Sequence, residues 1–168
     1  MPNHPGARGK VMRDTVTKAE KQLVYWMAIS AFLYFIGGLV FIFLPHPLLE
    51  VLDWIGGLFH LSPVLPGAIL AERFWNVLAF SMAMTITTAS VLVVRDPASN
   101  KGFCVPVIYS KLASWLSALV YFLAFSRAFA HLMIFLVDFP LFVLTVFFYR
   151  RARMATNAVP RPQKTSPF

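Results

Sequence analysis

Two charged residues of this 168-residue chain lie inside long apolar stretches, where an isolated charge is energetically unfavourable. Lys111 lies within the apolar stretch 105–125, and Asp138 lies within 129–149. A charged side chain in the middle of a bilayer costs a few kcal/mol on insertion scales, so each one requires a partner or a function. At a rise of about 1.5 Å per residue in antiparallel helices, Lys111 lies about 10 Å and Asp138 about 16 Å from the same side, and a lysine side chain is long enough to bridge that difference. We therefore predict a Lys111–Asp138 ion pair.

Further polar residues follow the line of Asp138. At about 100° per residue, Arg127, His131, Thr145 and Tyr149 all lie within about 20° of Asp138 on a helix. The rest of this helix is Phe, Leu, Val, Ile and Met. We expect this polar edge to face the interior of a helical bundle.

The preceding stretch offers a matching polar face. Ser110, Ser114, Ser117 and Tyr121 share one side of that helix, with Lys111 at its margin. In the stretch 73–94, Arg73 and Asn76 lie together at one end. The candidate residues for a ligand-binding or ion-paired interior are Lys111, Asp138, His131, Ser114, Tyr121, Arg73 and Asn76.

This constellation is compatible with three kinds of chemistry. An ion pair and serine contacts can simply fix the register of packed helices. The same groups can form a ligand or proton pathway, or Asp138 can act as an acid/base group. Pro140 favours function slightly, since it can kink the helix and free the carbonyl of Leu136. The sequence has no Ser-His-Asp arrangement, H-E-x-x-H motif, P-loop or dinucleotide fingerprint, and we predict no cofactor.

The elements that position these residues are membrane helices. Hydrophobic residues make up 58% of the chain and charged residues 13%, against roughly 25% charged in soluble proteins. Such a composition excludes a water-soluble enzyme, and the single cysteine excludes a disulfide scaffold. Four stretches reach the roughly 20 residues that a bilayer requires: 23–44, 73–94, 105–125 and 129–149. Thr17-Lys18-Ala19-Glu20 is a capping box that predicts where the first helix begins.

The basic residues predict the orientation. Twelve of the fifteen Lys and Arg residues fall on one side of this arrangement, in the tails 1–22 and 150–168 and the loop 95–104. By the positive-inside rule, both termini are expected to be cytoplasmic, in the plasma membrane. The net charge of +8 then reflects topology and attraction to anionic lipids, and no nucleic-acid partner is predicted.

The segments on the other side are an outer loop, 45–72, and a short turn, 126–128. The loop predicts a short interfacial helix with apolar residues on one broad side and Trp54 at the headgroup level. Gly56-Gly57 is a candidate interruption of this helix. A stripe of His46, Glu50, Asp53 and His60 has two interpretations, a water-facing edge, which we favour, or a weak metal site.

The sequence thus predicts an all-α integral membrane four-helix bundle. The leading hypothesis is a non-enzymatic accessory subunit or small apolar ligand-binding protein, with lipid, other membrane subunits or further copies of itself as partners. A second hypothesis is a small-molecule or proton-coupled transporter using Asp138. A third is a lipid-modifying membrane enzyme.

Overall fold

The computed structural model describes residues 17–64 and 69–157, with only the backbone described for residues 69–74 and 157. The described part of the chain is all-helical apart from turns, loops and one isolated bridge between Ser62 and Ala128. Its α-helices are α1 (Lys18–Phe43), α2 (Pro45–Leu58), α3 (Ile69–Arg95), α4 (Pro97–Asn100), α5 (Cys104–Ala124) and α6 (Phe129–Asn157). A short 3₁₀ turn, Lys101–Phe103, joins α4 to α5. The predictions for the tail segments 1–16 and 158–168 lie outside the described residues.

Four of the helices in the described ranges are long and apolar enough to cross a membrane: α1, α3, α5 and α6. Their outward surfaces carry large apolar side chains, such as Phe32 at 65% exposure and Leu123 at 70%. In water such a surface would be strongly unfavourable, because soluble proteins rarely expose large contiguous apolar patches. The all-helical fold and the four apolar helices agree with the sequence prediction.

The ends of the helices follow local capping chemistry. The predicted capping box is present at α1: Glu20 N donates to Thr17 Oγ1 at 3.2 Å, and Thr17 N donates to Glu20 Oε2 at 2.9 Å. Asp96 caps α4 by accepting from the backbone of Ala98 and Ser99, both at 3.1 Å. Hydrogen bonds from Ser99 hold the pKa of Asp96 below its usual value.

The packing of the four long helices is uneven. Helix α1 packs most extensively against α3, and α5 packs most extensively against α6. Contacts between α1 and α6 join the two pairs, whereas α3 and α5 touch only over a short length. Gly38 allows the close approach of α1 to α3, since a methyl group there would lie 3.1 Å from the Ala83 Cβ atom. Gly38 therefore has a packing role, whereas a methyl group at the neighbouring Gly37 would meet nothing within 4 Å.

The buried apolar core lies toward one end of the bundle, where α1 begins and α6 ends. Its members come from the first turns of α1 and α5 and the last turns of α3 and α6: Leu23, Met27, Ile86, Ala89, Val93, Cys104, Val107 and Ala152. The single cysteine is thus a buried core residue. This end of the bundle is the one from which the two basic tails extend.

Two details of the sequence prediction are wrong. Gly56 and Gly57 do not interrupt α2, which continues to Leu58. Gly56 is instead a contact point, because a methyl group there would lie 2.8 Å from the Cβ atom of Phe129 in α6. Arg127 is not part of the polar edge of α6, because the helix begins at Phe129 and Arg127 is exposed in the preceding turn.

Candidate functional site

The predicted ion pair is present in the interior of the bundle. Lys111 Nζ donates to Asp138 Oδ1 at 2.8 Å. The side chains of Lys111 and Asp138 are only 5% and 12% exposed. Helices α5 and α6 position the pair, because they pack closely along their length and bring two residues of similar depth together. Lys111 lies on the buried face of α5 with Cys104, Val107 and Ala118. Ser117 and Tyr121 of the predicted polar face are exposed, so the buried face of α5 is centred near its margin, at Lys111.

A serine completes the surroundings of the carboxylate. Ser114, one turn after Lys111, donates from its hydroxyl to Asp138 Oδ2. Each oxygen of Asp138 thus has a protein donor, one charged and one neutral. Both carboxylate oxygens are therefore engaged by side chains of α5, which a substrate would have to displace or share.

A third helix contributes an aromatic ring that the sequence analysis did not single out. Tyr34 of α1 lies with its ring 3.9 Å from Lys111 Nζ, measured to the ring centroid. At this distance the negative face of the ring attracts the ammonium group. The Tyr34 hydroxyl is buried and has no hydrogen-bond partner among the described residues. Lys111 therefore links α5 both to Asp138 of α6 and to Tyr34 of α1.

The polar edge of α6 makes a second contact with α1. Trp26 Nε1 donates to Thr145 Oγ1 at 2.9 Å, and Thr145 donates to the carbonyl of Leu141 at 2.6 Å. Thr145 is 2% exposed, so its predicted interior position is correct. The indole of Trp26 also packs against Phe148, with ring centroids 5.8 Å apart.

The remaining candidates are separated from the ion pair. His131 stacks on Tyr121, with ring centroids 5.6 Å apart, at the opposite end of α6 from the apolar core. His131 lies seven residues before Asp138, or about 10 Å along the helix axis. Ser117 does not face α6, since it is exposed and donates to the carbonyl of Ala113 in its own helix.

On α3, Asn76 is half-buried and makes no hydrogen bond to the described residues of the ion-pair cluster. The side chain of Arg73 lies outside the described residues. The structure thus brings together Lys111, Ser114 and Asp138 from the predicted set, and it places Tyr121 with His131 in a separate aromatic contact.

The residues of the weak metal hypothesis do not converge. His46, Glu50 and His60 are exposed, and Asp53 accepts a hydrogen bond from the backbone of Val64 at 2.9 Å. Within residues 17–64 and 69–157, no group of three or more His, Cys, Asp or Glu side chains could hold a metal ion. Asp53 therefore fixes the backbone of the segment that follows α2, through its bond to Val64 N.

A lateral cleft opens where α3 and α5 separate. It has a volume of about 160 Å³ and is lined by Ser81, Met82, Thr85, Ile86, Ala89, Pro106, Val107 and Ser110. Its lining is almost wholly apolar, with three hydroxyl-bearing residues at its walls. Thr85 lies ten residues before the end of α3, or about 15 Å along the helix axis, which places the cleft near the middle of the apolar span Trp75–Arg95.

A second buried charge cluster lies at the end of the bundle that carries the tails. Lys101 Nζ contacts Glu20 Oε1 at 2.5 Å and also donates to the Thr156 hydroxyl. Thr156 in turn lies 3.2 Å from Glu20 Oε1. Glu20 thus serves both the α1 capping box and a bond that ties the α4–α5 loop to the last turn of α6. Sequence spacing gives no sign of this cluster, because its three residues come from distant segments.

Comparison with protein-family models, with curated proteins and with solved structures finds no match to the chain. The fold and composition define its class, a small polytopic helical protein with the apolar surface of a membrane protein. Its function therefore has to be inferred from the geometry of the sites.

Proposed function

We propose that the protein is a non-enzymatic multi-pass membrane protein that binds a small apolar molecule in the cleft between α3 and α5. In this proposal α1, α3, α5 and α6 cross the plasma membrane, both basic tails are cytoplasmic, and α2 lies in the outer interface. The distribution of Lys and Arg supports this orientation. The exposed Trp54 and Phe59 of the α2 region support contact with the interface.

The observation that carries the proposal is the cleft itself. Its volume of about 160 Å³ is large enough to admit an apolar molecule about the size of benzene. The cleft opens sideways between helices, so a ligand dissolved in the hydrocarbon could enter without crossing the headgroup region. The hydroxyl groups of Ser81, Thr85 and Ser110 give the walls some capacity to orient a ligand that carries one polar group.

The bonding of Asp138 supports a structural role for the ion pair rather than a carrier or an enzyme. Both carboxylate oxygens have donors, and Lys111 is further held by Tyr34. A proton carrier using Asp138 would have to break these contacts in each cycle, and an acid/base enzyme would need space for substrate beside the carboxylate. The pair instead fixes α5 against α6, and α5 forms one wall of the cleft.

The proposal is tested with a benzene-sized apolar photoprobe, phenyl(trifluoromethyl)diazirine, in membranes that contain the full chain. Photolabelling is expected to concentrate on Met82 and Val107 and to saturate with probe concentration. The variant Thr85→Phe fills the cleft and should reduce this labelling to background. Thr88→Phe is the matched control, because Thr85 and Thr88 are both exposed on α3 and both donate to the carbonyl four residues earlier.

Only Thr85 of this matched pair lines the cleft. Labelling that rises linearly with probe and covers the outward residues of all four long helices would contradict the proposal. Equal labelling of the two Phe variants would contradict it as well, because the cleft would then play no part in probe binding.

A second candidate function is that of an accessory subunit, and the composition of the cleft favours it. Ser81, Thr85 and Ala89 are spaced four residues apart and form a small-residue ridge of the kind that admits another membrane helix. A Met82→Cys variant distinguishes the two functions in native membranes. Crosslinking of this cysteine to a second polypeptide supports an accessory subunit, whereas saturable probe labelling of the isolated chain supports ligand binding.

A further inference from the structure

A second groove lies between α1 and α6, at the end of the bundle from which the tails extend. It has a volume of about 210 Å³ and is lined by Gln22, Tyr25, Trp26, Ile29 and Phe148. Tyr25 is 76% exposed and Ile29 is 46% exposed, so the groove opens outward to the lipid. The bond of Trp26 to Thr145 and its contact with Phe148 hold the aromatic wall in place.

Basic residues continue the two faces that form this groove. On α1, Lys18 and Lys21 share a face with Gln22, Tyr25 and Ile29, within about 100° of one another. Both lysines are exposed and lie about 2 to 17 Å along the axis from the groove residues of their helix. The basic end of this face is therefore the end nearest the membrane surface.

The same arrangement recurs on α6. Arg151 follows Phe148 by three residues, so it lies on the same face one turn further toward the tail, and it is exposed. Arg150 and Arg153 lie on other sides of the helix. Two helices thus place a positive charge above a common apolar groove.

Little negative charge offsets these cations. The single acid of α1, Glu20, is 5% exposed and bonded to Lys101. No Asp or Glu follows Asp138 in the sequence. The positive charge beside the groove is therefore available to an anion.

One polar atom in the groove lacks a partner. The Oε1 atom of Gln22 is buried and accepts no hydrogen bond from the described residues. A buried amide oxygen without a donor is unfavourable, and a hydroxyl group from a bound molecule would relieve this cost by donating to it. Along α1, Gln22 follows Lys18 and Lys21 and precedes Tyr25 and Ile29.

We propose that this groove binds an acidic phospholipid with a hydroxylated headgroup. The phosphate lies between Lys21 and Arg151, a headgroup hydroxyl donates to Gln22, and an acyl chain follows the aromatic wall toward Ile29. This site is separate from the α3–α5 cleft, and its existence does not depend on what that cleft binds.

The experiment measures retained lipid by native mass spectrometry of the full chain in a nonionic detergent. Phosphatidylglycerol, phosphatidylcholine and phosphatidic acid are each titrated against the protein. Phosphatidylglycerol is expected to bind more tightly than phosphatidylcholine, which has no net charge. Equal affinities for these two lipids would overturn the proposal.

The variant Lys21→Gln with Arg151→Gln removes the two proposed phosphate ligands. At about 1 kcal/mol per basic residue near an anionic headgroup, its affinity for phosphatidylglycerol should fall about 30-fold. Arg150→Gln with Arg153→Gln is the matched control, since it removes the same charge from other faces of α6, and its affinity should change less than about threefold. All four residues are exposed, so the bundle should stay folded. If the two double variants lost the same affinity for phosphatidylglycerol, the attraction would come from the overall charge of this end of the bundle, and the proposed site would be refuted.

Two further measurements test the roles of the lipid's acyl chain and of its headgroup hydroxyl. Glycerol phosphate in millimolar excess should not displace the lipid, because it lacks the acyl chain, and full displacement would reduce the site to an anion site and overturn the proposal. Gln22→Leu should weaken phosphatidylglycerol about threefold to tenfold while leaving phosphatidic acid unchanged. An equal effect on both lipids would overturn the assignment of the hydroxyl contact.

Discussion

Removing one charge of the Lys111–Asp138 pair is expected to destabilise the protein more than removing both. In Asp138→Asn the side-chain volume is conserved, so no cavity forms and the loss reports the charge alone. Lys111 would keep a positive charge on a side chain that is 5% exposed. Breaking a buried ion pair by removing one partner costs about 3–5 kcal/mol, because the other charge is left uncompensated.

The double variant removes this uncompensated charge. Lys111→Met keeps a long side chain in the same space, and Ser114 can still donate to the oxygen of an asparagine at position 138. Replacing a buried pair by uncharged residues of similar volume is often neutral. We therefore expect the Lys111→Met, Asp138→Asn double variant to recover at least about 2 kcal/mol of the loss seen in the Asp138 single variant.

The assay is the free energy of unfolding of the purified full chain in mixed micelles, followed by tryptophan fluorescence as a denaturing detergent is added. Trp115 reports directly on the α5–α6 interface, since its ring lies 5.3 Å from that of Phe139. The four proteins of the mutant cycle are compared under one set of conditions. Effects of the two single variants that simply add in the double variant would refute the coupling between Lys111 and Asp138.

Two further predictions use matched residues within one helix. Ser114→Ala should lower the free energy of unfolding by about 1 kcal/mol, because it removes a donor to Asp138. Ser117→Ala should change it by less than about 0.5 kcal/mol in the same detergent assay, because the Ser117 hydroxyl donates only within its own helix. Equal effects of the two variants would refute the role of Ser114 as a donor to Asp138. Gly56→Ala should lower the free energy of unfolding by about 1–3 kcal/mol, because its methyl group would lie 2.8 Å from the Phe129 Cβ atom. Gly57→Ala has nothing within 4 Å of its methyl group and should be neutral or stabilising by up to about 1 kcal/mol. Thermal unfolding measures both effects, and a loss of stability in the Gly57 variant alone would contradict this packing.

The helices were predictable because their signals are local. A run of about 20 apolar residues and a capping box depend only on neighbouring positions. The contact between Lys111 and Asp138 was also predictable, because a short turn makes α5 and α6 antiparallel and the helical rise then fixes the relative depth of the two residues.

Contacts that depend on how helices cross could not be predicted in this way. Tyr34 meets Lys111 only because of the rotation of α1 against α5 and α6, and α1 has no polar stripe that marks its inner face. The cluster of Glu20, Lys101 and Thr156 requires three segments that are far apart in the sequence. Gly56 looked like a helix breaker, because the close approach of Phe129 is a tertiary contact.

The α3–α5 cleft could not be predicted for a related reason. Its walls contain ordinary small and apolar residues, and the space between them arises from the unequal packing of the four long helices. The charged interior was therefore predictable from the sequence, whereas the cleft was not.

The central claim is that the charges of Lys111 and Asp138 face each other in the interior of a membrane-embedded bundle. Solid-state NMR in bilayers tests it directly, with ¹⁵N on the lysine Nζ atoms and ¹³C on the aspartate Cγ atoms. The other ion pair in the described residues joins Lys101 to a glutamate, so it gives no signal in this experiment. A strong short-range ¹⁵N–¹³C coupling that disappears in Lys111→Met is the predicted result. Absence of that coupling in the wild-type protein would contradict the account.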